Sequence, residues 1–297
     1  MRKDILFIEL YCAICEHYDT ALVATAQRLS NNFCPKFTDE ECITIYLWGI
    51  TQQKYEVKAI YEYILDYYGD WFPNLPSYQA FNNRICNLAD SFEMLADIML
   101  RSLILNPEIA TYLTDSMPII VAKSKRSSRA RVAPELCNKG YCDSKQMYYY
   151  GVKLHALGQS QYKTLPIPAN MTLTPASAHD LTVAKQTLLN DVYNIDVFAD
   201  KAYKNVEWEQ KLKEENNVAI ITPVKLKKGQ KKLAFWDGIY PAAVSSVRQP
   251  VESFFNWLQE KTHIETASKV RSTKGLLSFV YARIVVGCLL FIPLVNS

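Results

Sequence analysis

The chain has 297 residues, 49% of them hydrophobic and 21% charged, with a formal net charge of only +3. That apolar content excludes wholesale disorder, and the length allows a large core or two domains. The near-balanced total says little about partners, so any polyanion would have to be met by local clusters of Lys and Arg.

The opening MRKDILFIEL carries Asp4 and Glu9 inside its apolar stretch and has no small-residue cleavage site. This argues against a secretory signal and makes the cytosol the expected compartment, with the eight cysteines as reduced thiols. Cys12, Cys15, Cys34 and Cys42 form a CxxC followed by a loose pair. Because Cys12 and Cys15 fall in a helical apolar pattern and no second CxxC exists, no zinc site is expected there. From Lys3 to about Leu105 apolar residues recur every three or four positions, which predicts helices. Thr38-Asp-Glu-Glu41 reads as a capping box, Ser77 as an N-cap, and Gly69 to Pro73 as a break between them. The expectation is an all-helical region of about four helices over residues 1–106 and a second domain over 107–297.

Near residue 109 the period changes. ATYLTDS, MYYYGVKLHAL and LPIPANMTL alternate and are rich in Tyr, Val, Leu and Ile, so they read as three strands. His179 to Val192 reads as a helix, IDVFAD as a strand, Asn205 to Asn217 as a charged amphipathic helix and VAIITP as a further strand. Strand, helix and strand in that order predict a parallel crossover. A long helical region begins near Val247, and the final run LLSFVYARIVVGCLLFIPLV holds Arg283 near its middle and Pro293 near its end. Because a central Arg is costly in lipid, that run is expected as a buried helix and not as a membrane span. The fold class expected is α/β: a ribonuclease H-like mixed sheet flanked by helices, preceded by the helical N-terminal region.

Two basic runs contain no acid. KSKRSSRAR holds Lys123, Lys125, Arg126, Arg129 and Arg131, and VKLKKGQKK includes Lys225, Lys227 and Lys228. Such clusters suit a phosphate backbone. Three acids stand where strands and helices change: Asp115 at the end of the first strand, Asp200 at the end of IDVFAD and Glu252 on the closing helix. Neighbouring first and fourth strands would bring Asp115 and Asp200 together. Three bare carboxylates repel one another unless a divalent cation neutralises them, and oxygen-only ligands favour Mg²⁺ or Mn²⁺. Two such ions about 4 Å apart serve phosphoryl transfer.

Taken in order, LTDSMPI, GYCDSKQMYYYGVKLHAL, TPASAHD, VFADKAY and VRQPVESFFNWLQEKTHIE resemble the motifs of bacterial insertion-sequence transposases of the DDE class. The resemblance runs from about Tyr112 to Pro293, and LPSYQAFNNRICNL is similar to the helical region that precedes the catalytic domain in that family. It implies that Asp115, Asp200 and Glu252 are the catalytic, metal-holding acids and that Arg248, one turn before Glu252, touches DNA phosphate. In the version of the Glu motif with Tyr before the Arg and Lys after the Glu, those two positions hold Ser245 and Gln259, with Lys261 nearby. His179 and Asp180, expected to open a helix whose dipole favours an acid, match the family's HD pair beside the active site. Lys153 and His155 share one strand face, which suits either the orientation of a scissile phosphate or, for His155, a satisfied structural role. The partners implied are double-stranded DNA, as terminal inverted repeats and target, and a second copy of the chain, with action at the bacterial nucleoid and no membrane. A nuclease without strand transfer and an inactive transposase-derived DNA-binding protein are the alternatives.

Overall fold

The computed structural model describes residues 2–26, 35–103, 105–223 and 235–295. The chain divides into two compact units. A helical unit gathers Met1–Ser102, Arg131–Glu135 and Leu258–Ser297, and a sheet unit gathers Leu103–Ala130 and Leu136–Trp257. Cys34, Lys225, Lys227 and Lys228 lie outside the described residues.

The helical unit opens with α1 (Arg2–Thr20), α2 (Asp39–Thr51), α3 (Val57–Tyr68), α4 (Tyr78–Asn87) and α5 (Ala89–Ser102). The capping box at α2 forms reciprocally: the Glu41 amide donates to Thr38 Oγ1 at 3.3 Å and the Thr38 amide to Glu41 Oε2 at 2.6 Å. Ser77 caps α4 by accepting from the Ala80 amide, and a 3₁₀ turn over Gly69–Trp71 follows α3.

The sheet unit contains β1 (Thr111–Lys123), β2 (Asn138–Cys142), β3 (Met147–Gln159), β4 (Ile167–Pro175), α6 (Asp180–Val183), β5 (Asp196–Phe198), α7 (Val206–Asn216) and β6 (Ala219–Ile221). The sheet order is β2-β3-β1-β5-β6, and β4 also pairs with β3. Along one edge of β3, β2 pairs with its first part and β4 with the remainder. β1 and β3 are antiparallel, whereas β1–β5 and β5–β6 are parallel, so the sheet is mixed, as expected for a ribonuclease H-like domain. β2 is an addition to the expected strands. Its sequence NKGYC opens on Asn, Lys and Gly, which are poor strand formers, and pairing with β3 overrides that preference.

Gly151 on β3 faces the irregularity in β1 between Ile120 and Ala122. A Cβ there would lie 2.1 Å from the Ile119 carbonyl oxygen, so glycine is the side chain that fits. On the β5 side, Val197, Ala199, Leu188, Leu189, Leu212, Val218 and Tyr203 form a buried apolar cluster. The expected crossover is present as β5, α7 and β6; Asn205 caps α7 through the Trp208 amide at 2.9 Å, and Asn217 ends it in the left-handed region at φ 53°. The helix expected over His179–Val192 is shorter: α6 passes at once into a π-turn over Ala184–Leu188.

α8 (Phe235–Thr262) begins before the expected Val247, and the unit boundary falls within it, between Trp257 and Leu258. α9 (Thr273–Val295) belongs to the helical unit and packs on α2, α4 and α5. Over Thr273–Ile292 it is long and apolar enough to cross a membrane by length and composition. Its Arg283 nevertheless lies inside the protein at 0% exposure. The Arg283 guanidinium donates to Tyr46 Oη at 3.2 Å, to the Phe279 carbonyl at 3.1 Å and to the Tyr55 carbonyl at 2.7 Å.

Candidate active site

β1 and β5 pair through Thr111–Asp196, Tyr112–Val197 and Leu113–Phe198. Asp115 and Asp200 each stand two residues beyond the last of these pairs, so a common register and the two-residue side-chain period bring them to one end of the pairing. Asp115 does not end its strand, contrary to expectation: β1 continues to Lys123, held by β3 on its other side. What ends near Asp115 is the pairing with β5, and that leaves one edge of β1 open at the acids. Asp200 keeps the extended course of β5 and precedes a 3₁₀ turn over Lys201–Tyr203, with the Tyr203 amide donating to the Asp200 carbonyl at 3.0 Å.

Arg248 and Glu252 lie four residues apart on α8 and so on one face of it. Arg248 Nη1 donates to Asp115 Oδ2 at 2.5 Å, and Nη2 donates to Glu252 Oε1. The other Asp115 oxygen, Oδ1, accepts from the Ser116 amide at 2.8 Å. Burial pushes the Asp115 carboxyl up to about 6, with Arg248 and the Ser116 amide opposing and Glu252 and Asp200 adding to the rise. Burial disfavours the Arg248 charge, but Asp115, then Glu252 and Asp200, outweigh it and raise the guanidinium above its ordinary value.

Among the described residues no three His, Cys, Asp or Glu side chains are gathered so as to hold a metal ion. At this cluster the Arg248 guanidinium stands as the cation between Asp115 and Glu252, with Asp200 near enough to act on both Asp115 and Arg248. The donor set is oxygen only, which suits a hard divalent cation. In kind, though not gathered in this structure, Asp115, Asp200 and Glu252 offer the donors that such an ion takes.

The remaining predicted residues separate. His155 is at 0% exposure, with Nε2 2.8 Å from Thr174 Oγ1, so it cannot reach DNA phosphate from that position; this corrects its expected role. Burial, then the Lys153 charge, lowers its pKa to about 4 against the pull of Asp180, so it is neutral at pH 7. Lys153 is also turned inward, donating to the Ala178 carbonyl at 3.0 Å and to Asp180 Oδ1 at 3.1 Å. Lys123, Lys125, Arg126, Arg129 and Arg131 are exposed; Arg131 is counted with the helical unit. Gln259, at the motif's Lys position, accepts from the Glu265 amide at 2.7 Å and so braces the chain after α8.

Two residues enter that sequence reasoning missed, Ser116 and Tyr203, and a third, Asp180, reads in the sequence both as a helix-opening acid and as part of the family's HD pair beside the active site. Ser116 carried no signal. The cap of α6 is His179, whose Nδ1 accepts from the Leu181 amide, while Asp180 turns to Ser116 and Lys153. Tyr203 closes VFADKAY one turn after Asp200, and its hydroxyl is sealed from water with no partner at hydrogen-bonding geometry. Burial first, then Asp180, Asp115 and Asp200, raise the Tyr203 phenol well above its ordinary value despite Thr114 alongside, which keeps it a neutral proton donor.

A family model described as the transposase DDE domain matches residues 108–285, which span the sheet unit and much of the C-terminal helical segment. No curated protein matches the chain at a significant level.

Proposed function

This chain belongs to the transposase DDE-domain family, whose members are metal-dependent DNA phosphoryl-transfer enzymes, and from that premise we propose that it cuts DNA at the ends of an insertion sequence and joins the freed end to target DNA. Cleavage adds water across one phosphodiester and leaves a 3′-OH and a 5′-phosphate. In joining, that 3′-OH attacks a target phosphodiester, so one bond forms as another breaks and a target 3′-OH leaves. No covalent protein–DNA intermediate is required.

The observation that carries this reading is that one guanidinium, Arg248, pairs with both Asp115 and Glu252 while the Asp200 charge acts on it and on Asp115. Asp115, Asp200 and Glu252 would hold Mg²⁺ or Mn²⁺, two ions in all, which supply charge neutralisation and an activated oxygen for in-line displacement. Arg248 occupies a cation's place between Asp115 and Glu252, and with those acids holding metal it would be free to touch a DNA phosphate. Tyr203, neutral and sealed, keeps a proton beside the acids, and the buried cluster beneath them excludes water.

Lys123, Lys125, Arg126 and Arg129 grip backbone phosphate away from the chemistry. Eight residues of strand separate Asp115 from Lys123, about 26 Å, or the length of roughly eight base pairs. Residues 1–106 are the source of end recognition through a helix in the major groove. Two copies act together because two ends must be joined, at the nucleoid of a bacterial cytoplasm.

The test is a strand-transfer assay with Mg²⁺, a duplex carrying the inverted repeat that flanks the gene, and Asp200→Ala as control. Joined product is expected from the unmodified protein alone. Its absence from both proteins would defeat the proposal, and cleavage without joining would identify a nuclease. Binding to the same duplex is expected to weaken steeply with salt; a flat response would remove the basic run as a DNA contact.

A further inference from the structure

We propose that Asp180 is a positioning residue for Asp115, acting through Ser116. The inference rests on the reading of Asp115 as a metal-holding acid. Three elements supply the chain of contacts. Lys153 on β3 donates to Asp180 Oδ1 at 3.1 Å, and Ser116 Oγ on β1 donates to the same oxygen at 3.1 Å. The Ser116 amide in turn donates to Asp115 Oδ1 at 2.8 Å. Asp180, the first residue of α6, thereby pins the residue whose backbone orients the catalytic carboxylate.

Asp115 needs such support because its other oxygen is held by Arg248, which must leave when metal and DNA arrive. Once it leaves, the Ser116 amide is the remaining hydrogen bond on that carboxylate. A metal ligand has to stay within about 0.5 Å of its working position. Supporting contacts of this kind are general around metal sites, where outer partners orient the groups that touch the ion.

The surroundings of Asp180 point the same way. His155 Nδ1 lies 3.5 Å from Asp180 Oδ1, sealed from water and without a hydrogen bond. A sealed polar atom left unsatisfied beside an acid is a cost that an ordinary core avoids. His155 is neutral, so Lys153 is the cation that balances Asp180. With Oδ1 occupied by Lys153 and Ser116, Asp180 is committed to holding the strand and not to the metal.

The test uses the full chain and reads Mn²⁺ affinity by electron paramagnetic resonance, end-duplex cleavage split into kcat and KM, and melting temperature. Ser116→Ala and Asp180→Ala should each weaken Mn²⁺ binding and lower kcat about tenfold with KM for DNA unchanged; melting temperature should hold in Ser116→Ala and fall in Asp180→Ala, which leaves Lys153 without its carboxylate. The double variant should lose no more Mn²⁺ affinity or kcat than either single one, because both break the same chain of contacts. Asp180→Asn keeps an acceptor for Ser116 and should stay within about twofold of the unmodified protein in kcat. Additive losses, an Asn variant as damaged as the Ala variant, or a loss in Ser116→Ala matched by a fall in its melting temperature would each overturn the inference. If Asp180→Ala does not fold, Ser116→Ala, which removes one hydroxyl, decides alone. Asp115→Ala separates the two levels: Mn²⁺ binding that survives it defeats the functional reading, whereas binding lost there but unchanged in Asp180→Ala defeats this inference only.

Discussion

Each unit places an arginine against carboxylate, and the surroundings differ. In the helical unit Arg84 meets Asp39 as a fork: Nε donates to Oδ1 at 2.6 Å, a second nitrogen pairs with Oδ2, and the Ala26 carbonyl takes a further bond at 2.7 Å. Asp39 is sealed, its side chain 5% exposed, and Tyr18 Oη donates to it at 3.2 Å. In the sheet unit Arg248 faces Asp115, Asp200 and Glu252, and the Glu252 side chain is 48% exposed. One site is closed; the other gathers three carboxylates near one guanidinium and is open to solvent. A sealed, forked pair stabilises a fold, whereas an open group of acids is a standing demand for cations.

If that contrast is right, the two sites respond to mutation in different measurements. Glu252→Gln should lower cleavage by at least about a thousandfold, roughly 4 kcal/mol of transition-state stabilisation, while end-duplex affinity stays within about twofold. Equal losses in binding and cleavage would show that Glu252 belongs to the DNA interface. Arg84→Met should leave cleavage per folded molecule intact but cost about 3 kcal/mol in denaturant unfolding, because the sealed Asp39 carboxylate loses the two-nitrogen fork that Arg84 gives it. A shift below about 1 kcal/mol would erase the distinction between the sites.

A pH series sharpens the comparison within the sheet unit. His155 is held to about 4 when folded and titrates near 6.5 when unfolded. Its contribution is therefore complete above pH 6.5 and is lost as pH falls toward 4, because the unfolded chain binds the proton first. The integrated effect is about 2 to 3 kcal/mol. Unfolding free energies measured at pH 7 and 4.5 should differ by that much more in the unmodified protein than in His155→Gln. Parallel pH profiles would mean that the buried imidazole is not the titrating group. The smallest effect expected is at Arg248: Arg248→Gln should tighten Mn²⁺ binding about fivefold, near 1 kcal/mol, by removing a competing cation. Weaker binding in that variant would show that Arg248 organises the acids and does not compete for them.

Much of the fold was legible because it is written in local pattern. The period change near residue 109, the apolar run ending at Asp200, and the capping signals at Thr38 and Ser77 depend on near neighbours, and the structure has them where expected. β2 was not legible, since Asn138, Lys139 and Gly140 look like a turn until β3 supplies the pairing. The run around Arg283 could be read as a buried helix, since a central Arg is costly in lipid, but its packing on α2, α4 and α5 could not, because those partners lie far away in sequence. At the site, the order of the three acids was readable, but Ser116 and the turn of Asp180 away from its helix end were not.

By itself, then, the sequence determined which residues carry oxygen ligands, where strands and helices change, and the family to which the motifs belong. Those are properties of residue type and short spacing. Only the tertiary structure decided that Asp115 lies within a strand, that His155 is sealed from DNA, and that Arg248 bridges Asp115 and Glu252. The physical reason is sequence distance: Ser116 meets Asp180 across 64 residues and Asp115 meets Arg248 across 133. Contacts at such separations are set by strand register and helix packing, where a shift of one residue would turn the acid to the opposite face of the sheet.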